Sequence, residues 1–418
     1  MPASPRPPRA PLGPRFRLLW SAVSAAGLGD GIALTAMPLL AGRLTGDPRG
    51  VSLVFFAEQL PWLVLGLISG VVADRLDRRR VLWISDALRA VIAAAFTFAV
   101  FTGRASIPLL GAVALLLGAG QVMYVGAWGG MVPAVVEPVG RTRANAALQA
   151  TAQVTGNLLG SPLGAVLFAA SVAAPFAAQT ACIACAAVLI ALLPGDYRAR
   201  TTGPTRRTSL RREVIEGVGW LWNHRLLRLL CVAAGVANLV VTALTTVLVL
   251  YTREELRISG LGYGLVMVGF AVGGIAGAAV VARVSDRLGA GRTLTLAMAG
   301  QAGSVALAGA VSSRLAFCGF IACYGAAMLS WNVVAVSVRQ SIVPDHLLGR
   351  VNMAYQMIIA GASAVGALTS GVVAHVFGLR APFVMGAVLL FTLCVTAARG
   401  VGSQHSAAGP SAARAGSR

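Results

Sequence analysis

Arginines, prolines and glycine-rich punctuation cut this sequence into twelve apolar runs of about 20 residues, the length a helix needs to cross a ~30 Å hydrocarbon core. The runs cover roughly 16–41, 51–73, 81–102, 107–133, 145–170, 172–194, 226–251, 261–283, 293–312, 315–338, 352–376 and 382–400. Composition weighs against other solvents. Only 11% of the 418 residues are charged, 57% are hydrophobic, and the mean hydropathy is +0.78. An ordinary soluble domain carries about 25% charge. So few charges could not cover a soluble protein of this length. A cytosolic enzyme, a nucleic-acid-binding protein and a disordered chain are therefore poor readings, despite the net charge of +20. The predicted class is an all-α membrane protein.

The basic residues set the orientation. All 34 are arginines. With both ends cytoplasmic, 26 fall in inner segments and 7 in outer ones, and Arg89 lies within span 3. That bias predicts cytoplasmic termini. Arginine without lysine, beside abundant Ala, Gly and Val, reads as a GC-rich bacterial coding bias, so the expected location is a bacterial cell membrane. The predicted organisation is a tail over 1–15, a six-helix bundle over 16–194, a cytoplasmic linker over 195–225, a second bundle over 226–402, and a disordered tail over 403–418. Span 1 lacks a signal-peptide cleavage site and is expected to be retained. Within the linker, Val214, Val218, Leu221 and Trp222 recur at helical spacing opposite Arg211, Arg212, Glu213 and Glu216, which predicts a short interfacial helix.

The halves repeat. Asp74-Arg75 matches Asp286-Arg287, Val132-Pro133 matches Val343-Pro344, and Arg143-Ala-Asn145 matches Arg350-Val-Asn352, at offsets between 207 and 212. Gly160 and Gly164 in span 5 are echoed by Gly366 and Ser370 in span 11. Two pseudo-symmetric six-helix bundles are the parallel-repeat architecture of one large class of secondary transporters, with the substrate site near the midplane.

The loop after span 2 makes the class specific. Gly70-Val-Val-Ala-Asp74-Arg75-Leu-Asp-Arg78-Arg79 fits G-x-x-x-D-R-x-x-R-R and resembles the signature loop of the major facilitator superfamily. Gly70 permits close helix approach, Asp74 can meet a helix N-terminus, and Arg75, Arg78 and Arg79 suit an anionic inner surface. These residues, with Asp286 in the echo, are the expected gate. FRLLW at 16–20, GDG at 29–31, LPW at 60–62 and EGVGWLW ahead of span 7 resemble twelve-span drug:proton antiporters of the macrolide-efflux and enterobactin-exporter kind. Gly156-x-x-x-Gly160-Ser-Pro162-Leu-Gly164 resembles the antiporter motif of such exporters, with Ser161 interrupting the usual Gly-Pro. Many proton-coupled exporters carry an arginine within span 4. Here span 4 has none, which excludes coupling through that residue.

Ionisable residues at membrane depth mark function by default. Asp30 in span 1 and Glu58 in span 2 both lie roughly 20 Å from the inner face at 1.5 Å per residue. They are the expected proton-coupling pair; a cap by Asp30 on a break at Gly29-Asp30-Gly31, and an outer-water position for Glu58, stay open. Asp86 and Arg89, one turn apart in span 3, read as a structural pair near the cytoplasmic end. Polar and aromatic stripes complete the candidate substrate site. Span 4 carries Gln121, Tyr124 and Trp128; span 7 carries Asn238, Thr242 and Thr245; span 10 carries Tyr324, Met328 and Trp331, with Asn332 adjacent. By the resemblance, spans 1, 4, 7 and 10 surround the cavity. Packing aromatics would follow the same spacing. Asp30 corresponds to Asn238 by the repeat, so the acid occurs only in the first half.

The six cysteines lie in apolar runs, and the Cys182/Cys185 pair reads as small buried hydrophobes. The four scattered histidines suggest no metal site, and no cofactor is expected. The chain lacks G-x-x-x-x-G-K-[ST], so ATP drive is unsupported. It also lacks a nucleophile elbow or H-E-x-x-H, so an enzyme is not expected. The resemblance implies export of small, amphipathic organic molecules by alternating access, in exchange for protons. An importer or symporter, or a dedicated metabolite or siderophore exporter, stays open on the same fold. The expected partners are a small-molecule substrate, protons and the lipid bilayer, with no nucleic acid, and a monomer is expected.

Overall fold

The computed structural model describes residues 12–128, 130–195, 197 and 218–407. The side chains of residues 70–75 lie outside the described set, so the expected contacts of Gly70, Asp74 and Arg75 do too. So do residues 1–11, 198–217 and 408–418, where the N-terminal tail, much of the linker and most of the C-terminal tail were expected. Of the predicted interfacial helix only its last part is described, and residues 218–223 are helical there.

The described residues form α1 (Gly13–Leu44), α2 (Pro48–Arg75), α3 (Arg78–Phe101), α4 (Ile107–Trp128), α5 (141–170), α6 (Ala174–Ala191), α7 (Arg225–Glu254), α8 (Gly260–Leu288), α9 (Ala290–Ala310), α10 (Arg314–Ile342), α11 (Asp345–Phe377) and α12 (Ala381–Ala407). Eight of these, α1, α3, α4, α6, α7, α8, α10 and α11, are by themselves long and apolar enough to cross a membrane. Span 4 ends at Trp128, sooner than the predicted 133, and a short helix over Met131–Val135 follows. In the other direction, α12 runs to Ala407, into the stretch expected to be disordered. Its sequence reaches no helix-breaking proline until Pro410.

The helix starts repeat. Those of α7, α8 and α9 fall 212 residues after those of α1, α2 and α3. Caps fix several starts. Asp77 accepts from Arg79 N–H at the head of α3 (2.9 Å), and Ser259 from Gly262 N–H at the head of α8 (3.2 Å). These bonds satisfy donors that a helix start leaves open.

The chain forms two compact units that do not follow the sequence halves. The first holds residues 1–37 and 64–206, and the second 38–63 and 207–418.

In the first unit α1 lies against α5, whose middle departs from α geometry. Residues Arg141–Ala152 and Ser161–Ala170 are α-helical, and Gln153–Gly160 between them is a π-helix. The two backbones nearly touch. A Cβ at Gly31 would lie 2.0 Å from the Gly156 carbonyl oxygen, and one at Gly164 would lie 2.5 Å from that of Ile32. Thr35 Oγ1 donates to Ser161 Oγ at 2.9 Å in this buried seam. Small residues at such a seam are what membrane helices need to pack closely.

The second unit repeats the device. A Cβ at Gly366 of α11 would lie 2.3 Å from the Leu239 carbonyl oxygen of α7, and Ser370 Oγ donates to Ala243 O at 2.6 Å. The hairpin 38–63 belongs to this unit. Ser52 Oγ donates to Ala367 O at 2.6 Å, Arg253 donates to Gly42 O, and His375 Nδ1 lies 3.4 Å from Asp47. The Arg49 side chain bonded to Asp47 holds that carboxyl below its ordinary range.

Candidate functional site

Asp30 stands between Gly29 and Gly31, and both neighbours are small for a reason. Gly31 admits the α5 backbone. A Cβ at Gly29 would lie 2.9 Å from the Cys182 Cβ and 3.2 Å from the Gln179 carbonyl oxygen of α6. With α1 clamped on both sides, the Asp30 side chain meets α3. There Arg89 Nη2 donates to Asp30 Oδ1, and Arg89 Nη1 donates to Asp86 Oδ1 at 3.1 Å. One guanidinium thus joins two carboxylates. The Asp86 side chain is 0% exposed and that of Arg89 3%, whereas Asp30 keeps 34%. Asp30 is the partly exposed end of a buried chain of charge.

The helix opposite makes room for it. A Cβ at Gly120 of α4 would lie 2.5 Å from Arg89 Cγ. The absence of a side chain at 120 therefore lets the arginine stem pass. Sequence reasoning found no arginine in span 4. The structure supplies one from α3, laid against α4. The Asp86–Arg89 pair exists as expected, about 12–17 Å from the start of α3 at 1.5 Å per residue.

Polar atoms of the triad and of α4 are left open. Asp86 Oδ2, Arg89 Nε, Gln121 Oε1 and Tyr124 Oη are buried and have no hydrogen-bond partner among the described residues. Tyr124 is within electrostatic reach of Asp86, Arg89 and Asp30, and Cys182 of Asp30. Such atoms are costly in a dry interior unless water or a ligand meets them.

The expected substrate residues divide by burial. Tyr124 is packed with Leu19, Leu82 and Ile190 in the first unit's core, and its ring stacks on Trp128 with centroids 6.0 Å apart. Trp331 is 4% exposed in a core of the second unit with Leu227, Cys231 and Tyr355. Its Nε1 has no partner among the described residues. Thr242 is buried, Asn238 is half-buried and donates to Ala234 O at 2.9 Å, and Asn332 is exposed. Glu58 is half-buried and falls in the second unit, apart from the triad's own unit. Of the expected gate residues, Arg78 donates to Gly130 O at 3.2 Å and Arg79 to the carbonyls of Ala191 and Gly195, so both tie helix ends within the first unit. Asp286 is exposed near the end of α8.

Reactivity checks this division. Single cysteines at 128 and 238, in a Cys-free background, are expected to react with a small water-soluble thiol reagent, and those at 124 and 331 to stay protected. Equal labelling at all four positions would contradict the burial pattern.

Among its described residues the second unit has no such triad. Gln301 of α9 stands 212 residues after Arg89, the spacing that relates the two helix starts. It is 1% exposed and its Oε1 has no partner among the described residues. By the same spacing Asp30 falls on Thr242, and by the sequence repeat on Asn238, so the charged residues Asp30 and Arg89 correspond to neutral ones in the second unit.

The sequence matches the family described as transmembrane secretion effector over residues 7–408. It is 27% identical over 401 residues to the multidrug efflux pump Tap of Mycolicibacterium fortuitum, covering 92% of this chain and 95% of that protein. It is 26% identical over 385 residues to the pump of the same name from Mycobacterium tuberculosis, covering 89% of each. Among solved structures, the nucleoside transporter NupG superposes with a TM-score of 0.73 at 12% identity, over 93% of this chain and 99% of that one. A bacterial homologue of the human lysosomal transporter Spinster superposes with a TM-score of 0.70 at 14% identity, over 92% and 97%. At these identities the superpositions show a shared fold.

Proposed function

The chain belongs to the transmembrane secretion effector family of major facilitator transporters, and from that premise we propose that it exports small, amphipathic organic molecules across a bacterial cell membrane in exchange for protons. It is a transporter and not an enzyme. One observation carries the exchange reading: a half-exposed carboxylate, Asp30, is tied to the buried Arg89 and Asp86, within electrostatic reach of Tyr124, whose ring stacks on Trp128.

Uncompensated charge is expensive at membrane depth. A carboxylate that sits partly open on such a chain can take either a proton or an organic cation, and an aromatic face nearby favours the cation. The names of the Tap relatives support export of several compounds. Asp30 is the proposed coupling residue, with Glu58 as a second carboxyl. Gln121, Trp128, Asn238, Thr242 and Asn332 are proposed to meet the substrate, with Tyr124 and Trp331 shaping the walls from behind. Gly70, Asp74, Arg75 and Asp286 are proposed to gate, with Arg78 and Arg79 holding the loop. The arginine bias supports cytoplasmic termini, and the proposed working unit is a monomer.

Proteoliposomes test the reading. A pH gradient should drive accumulation of one or more compounds from a panel of lipophilic cations and neutral drugs, with protons moving opposite to the compound. Asp30→Asn should abolish this gradient-driven accumulation. Protons moving in the same direction as the compound would instead establish a symporter.

A further inference from the structure

We propose that Asp86, a residue of α3 buried behind the exposed carboxylate, holds the exchanged proton, and that Arg89 is a switch shared between Asp86 and Asp30. The inference rests on the proton-exchange reading and names the groups that carry it.

The charge count comes first. Two carboxylates around one guanidinium leave the triad at −1, in a place where Asp86 and Arg89 have lost nearly all contact with water. One buried unit of uncompensated charge is costly. One positive charge removes the cost, and two sources can supply it. In the proton-loaded state the hydrogen is bonded to Asp86 Oδ2, the oxygen that Arg89 does not reach and that has no other partner among the described residues. Arg89 then balances Asp30. In the cation-loaded state an organic monocation sits at Asp30, the only exposed member. Arg89 gives up Asp30 and turns wholly to Asp86, the Oδ2–H bond breaks, and the proton leaves to water. Both states are neutral, and they differ by one proton for one monocation.

The surroundings fit this division of labour. Asp86 and Arg89 belong to α3. The groups facing them are Asp30 from α1, Tyr124 from α4, and, toward Asp30, Cys182 from α6. Arg89 is the only cation among these described groups. Tyr124 Oη, without a partner among the described residues, is a polar atom that a protonated or a turned side chain could meet. Gly120 lets the Arg89 stem pass between Asp86 and Asp30, since any side chain at 120 would collide with its Cγ.

The test uses the purified full chain in detergent, with tetraphenylphosphonium as the cation, in weakly buffered solution containing a pH indicator. Wild type should release about one proton per cation bound, as the triad's charge count requires. Asp86→Asn should bind the cation at least about tenfold more weakly, because the triad is then neutral without it, and should release none. Proton release unchanged in Asp86→Asn would overturn the assignment while leaving the exporter reading intact. Failure of wild type to transport any panel compound would sink the exporter reading, and the binding measurement would still judge Asp86. Should Asp86→Asn not fold, the infrared difference spectrum of wild type decides: cation binding must remove a protonated-carboxyl stretch. Its absence, or a wild type that binds no cation, overturns the proposal.

Discussion

Arg89→Gln is expected to cost about 3–5 kcal/mol of stability, the range seen when one partner of a buried ion pair is removed. The change leaves Asp86 and Asp30 facing each other with no guanidinium between them. The loss should read as a large drop in the unfolding midpoint of the detergent-solubilised protein near neutral pH, together with loss of pH-driven transport. Acid should restore part of it, because protonating a carboxylate removes the charge that lacks a partner. The double variant Asp86→Asn with Arg89→Gln should recover much of the stability without recovering transport, since it discards the buried charge pair whole. If the single change were harmless, Arg89 would not be balancing both acids.

Gly31→Val is expected to be as damaging for a different reason. A Cβ at 31 would lie 2.0 Å from the Gly156 carbonyl oxygen and 2.7 Å from its Cα, so backbone and not a flexible side chain must give way. Overpacking typically costs about 1–3 kcal/mol and more when backbones must part. Separating α1 from α5 would also carry Asp30 off Arg89, so the variant should lose transport even where it still folds. A thermal melt and a transport assay on the same preparation check both effects. Gly366→Val, the matching change in the second unit, meets the Leu239 carbonyl and should destabilise comparably.

These two variants also mark where sequence reasoning reached and where it stopped. The helices were legible because a lipid solvent demands a long apolar run, and the predicted spans fall within a few residues of the observed ones apart from the ends of spans 4, 8 and 12 and the start of span 11. The glycines of α5 were legible as close-packing residues, since little else explains small residues at helical spacing. The partner of Asp30 was not. Depth along an ideal helix placed Glu58 level with it, and no one-dimensional spacing tells that α3 turns Arg89 toward α1. Gly120 carried the only signal, a missing side chain in α4 where an arginine stem from another helix passes. Tyr124 and Trp331 fit a cavity stripe and a core stripe equally well, because both recur every three or four residues.

The π-helical stretch Gln153–Gly160 has a separate consequence. There the Ser161 N–H reaches back five residues to the Gly156 carbonyl, one further than an α-helix allows. The stretch therefore holds one surplus residue, and the two ends of α5 are out of phase by about 100°, the turn per residue of a regular helix. Removing that residue would make α5 continuous and wind Ser161 and Gly164 away from Thr35 and Ile32. Migration of the same irregularity along the chain would do so without any deletion, one hydrogen bond at a time. The seam that aims Asp30 is thus indexed like a ratchet, in steps of one residue, by the very helix whose glycines make it close.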